Sequence, residues 1–136
     1  MNSVTGDVYT LFFDGCSKGN PGKAGAGAVI YRNQIEIYSQ SSFVGEKISN
    51  NVAEYTGLLI GLQKAAELNI ERLHVKGDSM LAIKQLRGEF KVSSPSLLPL
   101  YNQAKCLERE IGHVTYEHVY REYNKRADQL ANEGLL

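Results

Sequence analysis

Tyr9-Thr10-Leu11-Phe12-Phe13-Asp14-Gly15 is a nearly unbroken apolar and aromatic run that ends on a carboxylate. A short run of this kind reads as a central strand buried on both faces. Side chains alternate along a strand, so Val8, Thr10, Phe12 and Asp14 share one face, and Asp14 leaves the core on the side of whatever packs against Phe12. Three later acids, Glu54, Asp78 and Asp128, each stand where an element starts or turns an apolar face inward. The chain reads as a scaffold that brings these four together.

Outward from this strand, Cys16 to Lys23 is rich in turn formers and is expected to be a loop. It is not a phosphate loop, because Ala24 follows Gly22-Lys23 where a hydroxyl is required, and Gly25-Ala26-Gly27 lacks the third glycine of a dinucleotide fingerprint. Ala24 to Tyr31 and Ile35 to Val44 read as two strands joined by a short turn, which makes an antiparallel meander with the first. Ser49-Asn50-Asn51 offers three helix caps, and apolar residues recur at helical spacing from Val52 to Leu68. On that helix Glu54 shares a face with Leu58, Gly61, Leu62 and Ala65, the stripe that should be buried. Arg72 to Lys76 is a fourth strand leading to Gly77-Asp78-Ser79, and a crossover helix between strands one and four implies that they run parallel. Met80 to Leu86 is a short helix, Ser96 to Ile111 a long one, His113 to Tyr120 a fifth strand and Asn124 to Leu135 a terminal helix whose face carries Ala127, Asp128 and Ala131.

The expected architecture is therefore α/β, a five-stranded mixed sheet with strands 1 to 3 antiparallel and strands 4 and 5 parallel, in one domain over residues 1–136 with a core of about 8–135. The 15 basic and 15 acidic residues cancel, so a nucleic-acid partner does not follow from net charge and needs a local surface. Two cysteines, Cys16 and Cys106, far apart in sequence, argue against a disulfide framework. Met1 to Asp7 lacks the pattern of a secretory leader, and no segment approaches the ~20 apolar residues that span a bilayer. A cytoplasmic protein is expected.

Each acid also has a structural reading: Asp14-Gly15 a tight turn, Glu54 the partner of Asn51 in a capping box, Asp78 or Ser79 a helix cap, Asp128 part of a solvated face. Convergence changes the balance. Four carboxylates at strand ends and on inward helix faces repel one another unless a cation sits among them. Hard oxygen ligands suit magnesium, with manganese as a second choice, and no cysteine and histidine cluster competes. Two such ions ~3.5–4 Å apart can activate water and stabilise the leaving oxygen of a phosphodiester.

Phe13-Asp14-Gly15 with Asn20-Pro21-Gly22, Asn50-Asn51-Val52-Ala53-Glu54, Asp78-Ser79, and the run from His118 to Asp128 together resemble type 1 ribonuclease H. The likeness runs from about Val8 to Leu135. It implies a sheet flanked by helices on both faces and endonucleolytic cleavage of the RNA strand of RNA/DNA hybrids with two magnesium ions. Carried over by position, it makes Asp14, Glu54, Asp78 and Asp128 the metal-binding catalytic set. His118 matches a mobile family histidine that helps protonation or product release, and Arg121 is a rival for the phosphate. His74 and His113 are read as structural. The resemblance assigns Asn50 and Asn51 to the hybrid's minor groove, Ser49 and Asn20 to a phosphate of the DNA strand, and Gly15, Cys16 and Ser17 to the RNA backbone.

Two departures stand out. Met80 follows Asp78-Ser79 where many relatives carry glutamine, and the short connection from Gly88 to Ser96, with no tryptophan in the chain, leaves no room for a basic helical handle. Lys84, Arg87 and Lys91 form only a small basic group. The chain looks like the handle-less branch of the family, expected to act as a monomer. A proofreading exonuclease is disfavoured by Cys16 two residues after Asp14, and an integrase by the Asn-Asn-x-Ala-Glu helix start. The non-enzymatic alternative is a domain that binds hybrid or double-stranded RNA with little or no turnover.

Overall fold

The structure, a computed structural model, describes residues 6–136. The leader-free reading of Met1 to Asp7 falls largely outside them. Ten elements follow in order: β1 (Tyr9–Lys18), β2 (Gly22–Arg32), β3 (Ile35–Ile48), α1 (Asn50–Glu67), β4 (Arg72–Gly77), α2 (Met80–Leu86), α3 (Leu98–Ile111), β5 (His113–His118), a 3-10 turn (Arg121–Tyr123) and α4 (Lys125–Glu133). The sheet order is β3-β2-β1-β4-β5, with β1 antiparallel to β2 and parallel to β4, and β4 parallel to β5. This is the expected mixed sheet with β1 at its centre. Among the described residues no helix is long and apolar enough to cross a membrane.

The two faces of β1 are not equally buried. Leu11 and Phe13 are fully enclosed beneath α1, each burial contributing roughly 2 kcal/mol. Phe12 is half-buried on the other face, edge-on to Tyr31 at 5.7 Å and beside the α4 cluster of Val29, Ala127 and Leu130. Burial on both faces is therefore complete on one side only, because α4 lies across β2 and β1 and leaves β4 and β5 uncovered by it. On α1 the expected stripe of Leu58, Gly61, Leu62 and Ala65 is buried.

The expected loop from Cys16 to Lys23 is corrected. β1 runs on to Lys18, pairing Cys16 with Gly25 and Lys18 with Lys23, and only Gly19 to Pro21 turn. Local turn propensity is overridden by partners distant in sequence: the Ser17 N–H is held by Asn50 Oδ1 and its Oγ by the Ile48 carbonyl. The last helices and strand are also shorter at their ends than expected. α3 begins at Leu98 with Pro99 in its first turn, and a 3-10 turn separates β5 from α4.

Two glycines set the distance between β1 and α1. A Cβ on Gly15 would collide with the backbone of Ala53 and Glu54, and one on Gly57 would lie 2.5 Å from the Asp14 carbonyl oxygen. The helix thus rests directly on the end of the strand. Its second turn is brought beside Asp14.

Candidate active site

Each acid is presented by a different element. Asp14 lies in β1 opposite Gly27, only 4% exposed, with Oδ1 accepting the Gly15 N–H at 2.9 Å. Glu54 lies in α1, which is capped by Ser49 accepting the Val52 N–H at 3.2 Å. The capping box of Asn51 with Glu54 therefore does not form, and Glu54 is left to point at Asp14. Asp78 follows β4, and the cap of α2 is Ser79, accepting from Ala82 at 3.2 Å, so Asp78 too is released from a capping role. Asp128 occupies the first turn of α4.

Carboxylate oxygens of Asp14, Glu54 and Asp78 all lie within 4.8 Å of one another. Asp128 is outside that trio but lines the same polar cleft, of about 350 Å³, together with Gly15, Cys16, Ser17, Asn50 and Arg121. A larger groove of about 750 Å³, floored by Val8, Phe12 and Tyr31, contains none of the four acids. Size does not locate the chemistry here; charge does.

Burial and the Asp78 charge push the Asp14 carboxyl up to about 7, against the opposing Gly15 N–H. Glu54 is raised well above the ordinary range by burial first and then by Asp14 and Asp78. Its Oε1 is buried with no hydrogen-bond partner among the described residues. A buried, unpartnered carboxylate oxygen facing two other carboxylates fits a cation better than any neighbouring protein group. The donors are hard oxygens, which fit magnesium or manganese. Burial pushes the adjacent Cys16 thiol up, so it is not offered as a thiolate.

The residues assigned to substrate form a connected rim. Asn50 Oδ1 accepts the Ser17 N–H at 2.8 Å, the Asn50 N–H donates to Asn20 Oδ1 at 2.9 Å, and Ser17 Oγ donates to the Ile48 carbonyl at 2.6 Å. These bonds tie the β1–β2 hairpin to the start of α1. Asn51 is exposed, while Ser49, Asn20 and Asn51 stand outside the lining of the cleft. Of the two basic candidates, Arg121 lines the cleft; His118 ends β5 outside the lining, edge-on to Tyr120 at 5.6 Å. His74 is bonded to Thr115 at 2.7 Å. In the small basic group Arg87 pairs with Glu89 at 2.7 Å and Lys84 sits 5.1 Å from the Phe90 ring centre, so part of its charge is already engaged.

Two side chains to which the sequence reading gave no site role belong to this region. Asn124, 1% exposed, donates through Nδ2 to the Phe13 carbonyl at 3.0 Å and to Asp78 Oδ2 at 3.2 Å. Asn132 also lines the cleft, beside Asp128. Their signal in the sequence is spacing: Asn132 stands four residues after Asp128 on the same face of α4, and Asn124 four residues before it, at the helix N-cap.

Residues 12–134 match a protein family described as reverse transcriptase-like. The chain is 42% identical over 123 residues to the bifunctional protein Rv2228c of Mycobacterium tuberculosis, covering 90% of this chain and 34% of that protein. The structure of the N-terminal RNase H domain of Rv2228c superposes with a TM-score of 0.91 at 39% identity, over 96% of this chain and 94% of that one. Ribonuclease HI of Halobacterium salinarum is 36% identical over 124 residues, which cover 91% of this chain and 62% of that protein. LC11-RNase H1, isolated from compost and solved in complex with an RNA/DNA hybrid, gives a TM-score of 0.88 at 32% identity, over 93% of this chain and 96% of that one. The chain thus spans about a third of the mycobacterial relative's length and under two thirds of the archaeal one's.

Proposed function

This chain belongs to the reverse transcriptase-like family, in its type 1 ribonuclease H branch, and on that premise we propose that it hydrolyses the RNA strand of RNA/DNA hybrids endonucleolytically, with two divalent ions. The observation that carries the proposal is the Asp14–Glu54–Asp78 cluster, with oxygens within 4.8 Å and one Glu54 oxygen buried and unpartnered.

Asp14, Glu54 and Asp78 would hold one ion, and Asp128 with Asp14 the other. Bound there, magnesium would polarise an attacking water and offset charge on the leaving oxygen. The chain's own groups do the rest. Gly15 and Ser17, fixed by Asn50 and by the contact with α1, present backbone to the scissile strand. Asn50 keeps its amide donors free for the minor groove, because only its oxygen is taken by Ser17. Asn51 reaches outward beside it, while Ser49 and Asn20 brace the neighbouring phosphate position. Arg121 is assigned the phosphate at the cleft, and His118 assistance to product departure. The domain works as a monomer in the cytoplasm.

The test is to incubate the protein with labelled hybrid, double-stranded RNA, single-stranded RNA and duplex DNA, each with magnesium, manganese or chelator. Cleavage of the RNA strand of hybrid, dependent on metal, is expected. Tight hybrid or double-stranded RNA binding with no cleavage under any metal would favour the non-catalytic alternative.

A further inference from the structure

Asp128 is the one acid of the four that stands outside the close trio, and the structure shows what holds it. Asn132, one turn later on α4, donates through Nδ2 to the Asp128 carbonyl at 2.9 Å and to the Asp128 side-chain oxygen Oδ1 at 3.3 Å. Its own Oδ1 faces the Cys16 thiol, 3.9 Å away. The amide has one sensible orientation: turned over, its oxygen would face two acceptors on Asp128. Cys16 lies in β1 two residues beyond Asp14, on the same face. The asparagine therefore links the strand that bears the first acid to the side chain of the fourth.

The helix backbone does not need this link. α4 is seated on β2 where Gly25 and Gly27 let the backbone of Ala131 and Ala127 approach, and Ala127, Leu130 and Ala131 are buried there. Asn132, half-buried on the cleft side, adds nothing to that apolar contact. Its 3.3 Å bond acts on the direction of a carboxylate, while the bond to the Asp128 carbonyl and the Cys16 contact hold the amide in place for it.

We infer that Asn132 is a positioning residue for Asp128, holding the fourth carboxylate toward the cleft so that it serves the second ion. The inference rests on the metal-site reading above and deepens it. A hydrogen-bond partner behind a metal ligand fixes the ligand's orientation, and its removal typically weakens metal binding about tenfold or more. Without Nδ2, Asp128 loses this constraint on its rotation, and the second ion must be bound by a ligand that is less well preset.

The experiment measures manganese binding by the electron paramagnetic resonance of the free ion, for wild type, Asn132→Leu, Asn132→Ala and Asp128→Asn, and for Asn132→Leu combined with Asp128→Asn. One series uses protein alone and a second adds hybrid. Half-saturation by manganese should rise about tenfold in both Asn132 variants, in at least one series, while melting temperature changes little. In the Asp128→Asn background the Asn132 change should add nothing, since the residue acts through that carboxylate. Unchanged manganese binding in both series would overturn the inference, as would an equal further loss in the Asp128→Asn background. Wild type that binds no manganese would sink the metal site and this inference with it. Wild type that binds manganese but cleaves no hybrid would sink the proposed activity alone and leave Asn132 with its role.

Discussion

Replacing Asp14 by Asn should abolish cleavage and make the metal-free protein more stable. Asp14 is 4% exposed, and its carboxyl is raised from 3.8 to about 7. At about 1.4 kcal/mol per unit, holding this group ionised near pH 7.5 corresponds to roughly 4 kcal/mol of lost stability. An asparagine keeps the size and the oxygen that accepts the Gly15 N–H at 2.9 Å, yet removes the repulsion with Asp78 and Glu54. It still bears part of the burial cost, so a gain of about 2 kcal/mol is expected, which is a rise of roughly 8 °C in melting temperature for a domain of this size. The assay is thermal and urea unfolding of wild type and variant in EDTA and in millimolar magnesium. Magnesium should raise the wild-type melting temperature and do much less for the variant, since it binds the native acids and relieves their repulsion. An Asp14→Asn protein that is less stable than wild type in EDTA would refute the view that this carboxylate is strained without metal. Equal stabilisation of both proteins by magnesium would refute its role as a ligand.

The same strain predicts a pH dependence. A carboxyl raised in the folded state contributes stability that is complete below its unfolded value of 3.8 and lost as pH rises through about 7, and Glu54 acts in the same direction. Metal-free wild type should therefore weaken from pH 5 to pH 8 in urea melts, with magnesium restoring stability mainly at the upper end; a flat profile would contradict this. Asn50→Ala with Asn51→Ala should weaken hybrid binding and lower its preference over duplex DNA in a salt series, whereas full retention of preference would leave these residues as structural ties only. Arg121→Ala should reduce turnover more than His118→Ala, because only Arg121 lines the cleft; single-turnover rates with the reverse order would reassign the two.

Much of the fold was legible because its signals are periodic. The apolar run of β1, the buried stripe of α1 and the crossover to β4 follow from alternation and helical spacing, and they suffice to bring Asp14, Glu54 and Asp78 together. What was not legible depends on partners distant in sequence. Three residues could cap α1 equally well on local grounds; the choice of Ser49 follows from Asn50 being engaged by Ser17 and Asn20. The strand pairing of Cys16 to Lys18 was hidden by turn formers whose effect is overridden by the bonds of Ser17 to Asn50 and Ile48. Asn124 and Asn132 have helical spacing to Asp128, but their function depends on Phe13, Asp78 and Cys16, which only the folded chain places beside them.

Cleavage of a labelled RNA/DNA hybrid by wild type and by Asp78→Asn, side by side in saturating magnesium and in EDTA, tests whether the clustered acids are a metal-dependent hydrolytic centre. Asp78 meets Asp14 and Glu54 within 4.8 Å and is released from capping by Ser79, and Asn keeps an oxygen to accept from Asn124 Nδ2, so its replacement should leave the fold intact. Wild type should cut the RNA strand in magnesium and not in EDTA, and the folded variant should retain well under about a tenth of the wild-type rate. Cutting by wild type in EDTA, or an Asp78→Asn protein that cuts at more than about a tenth of the wild-type rate, would contradict the assignment.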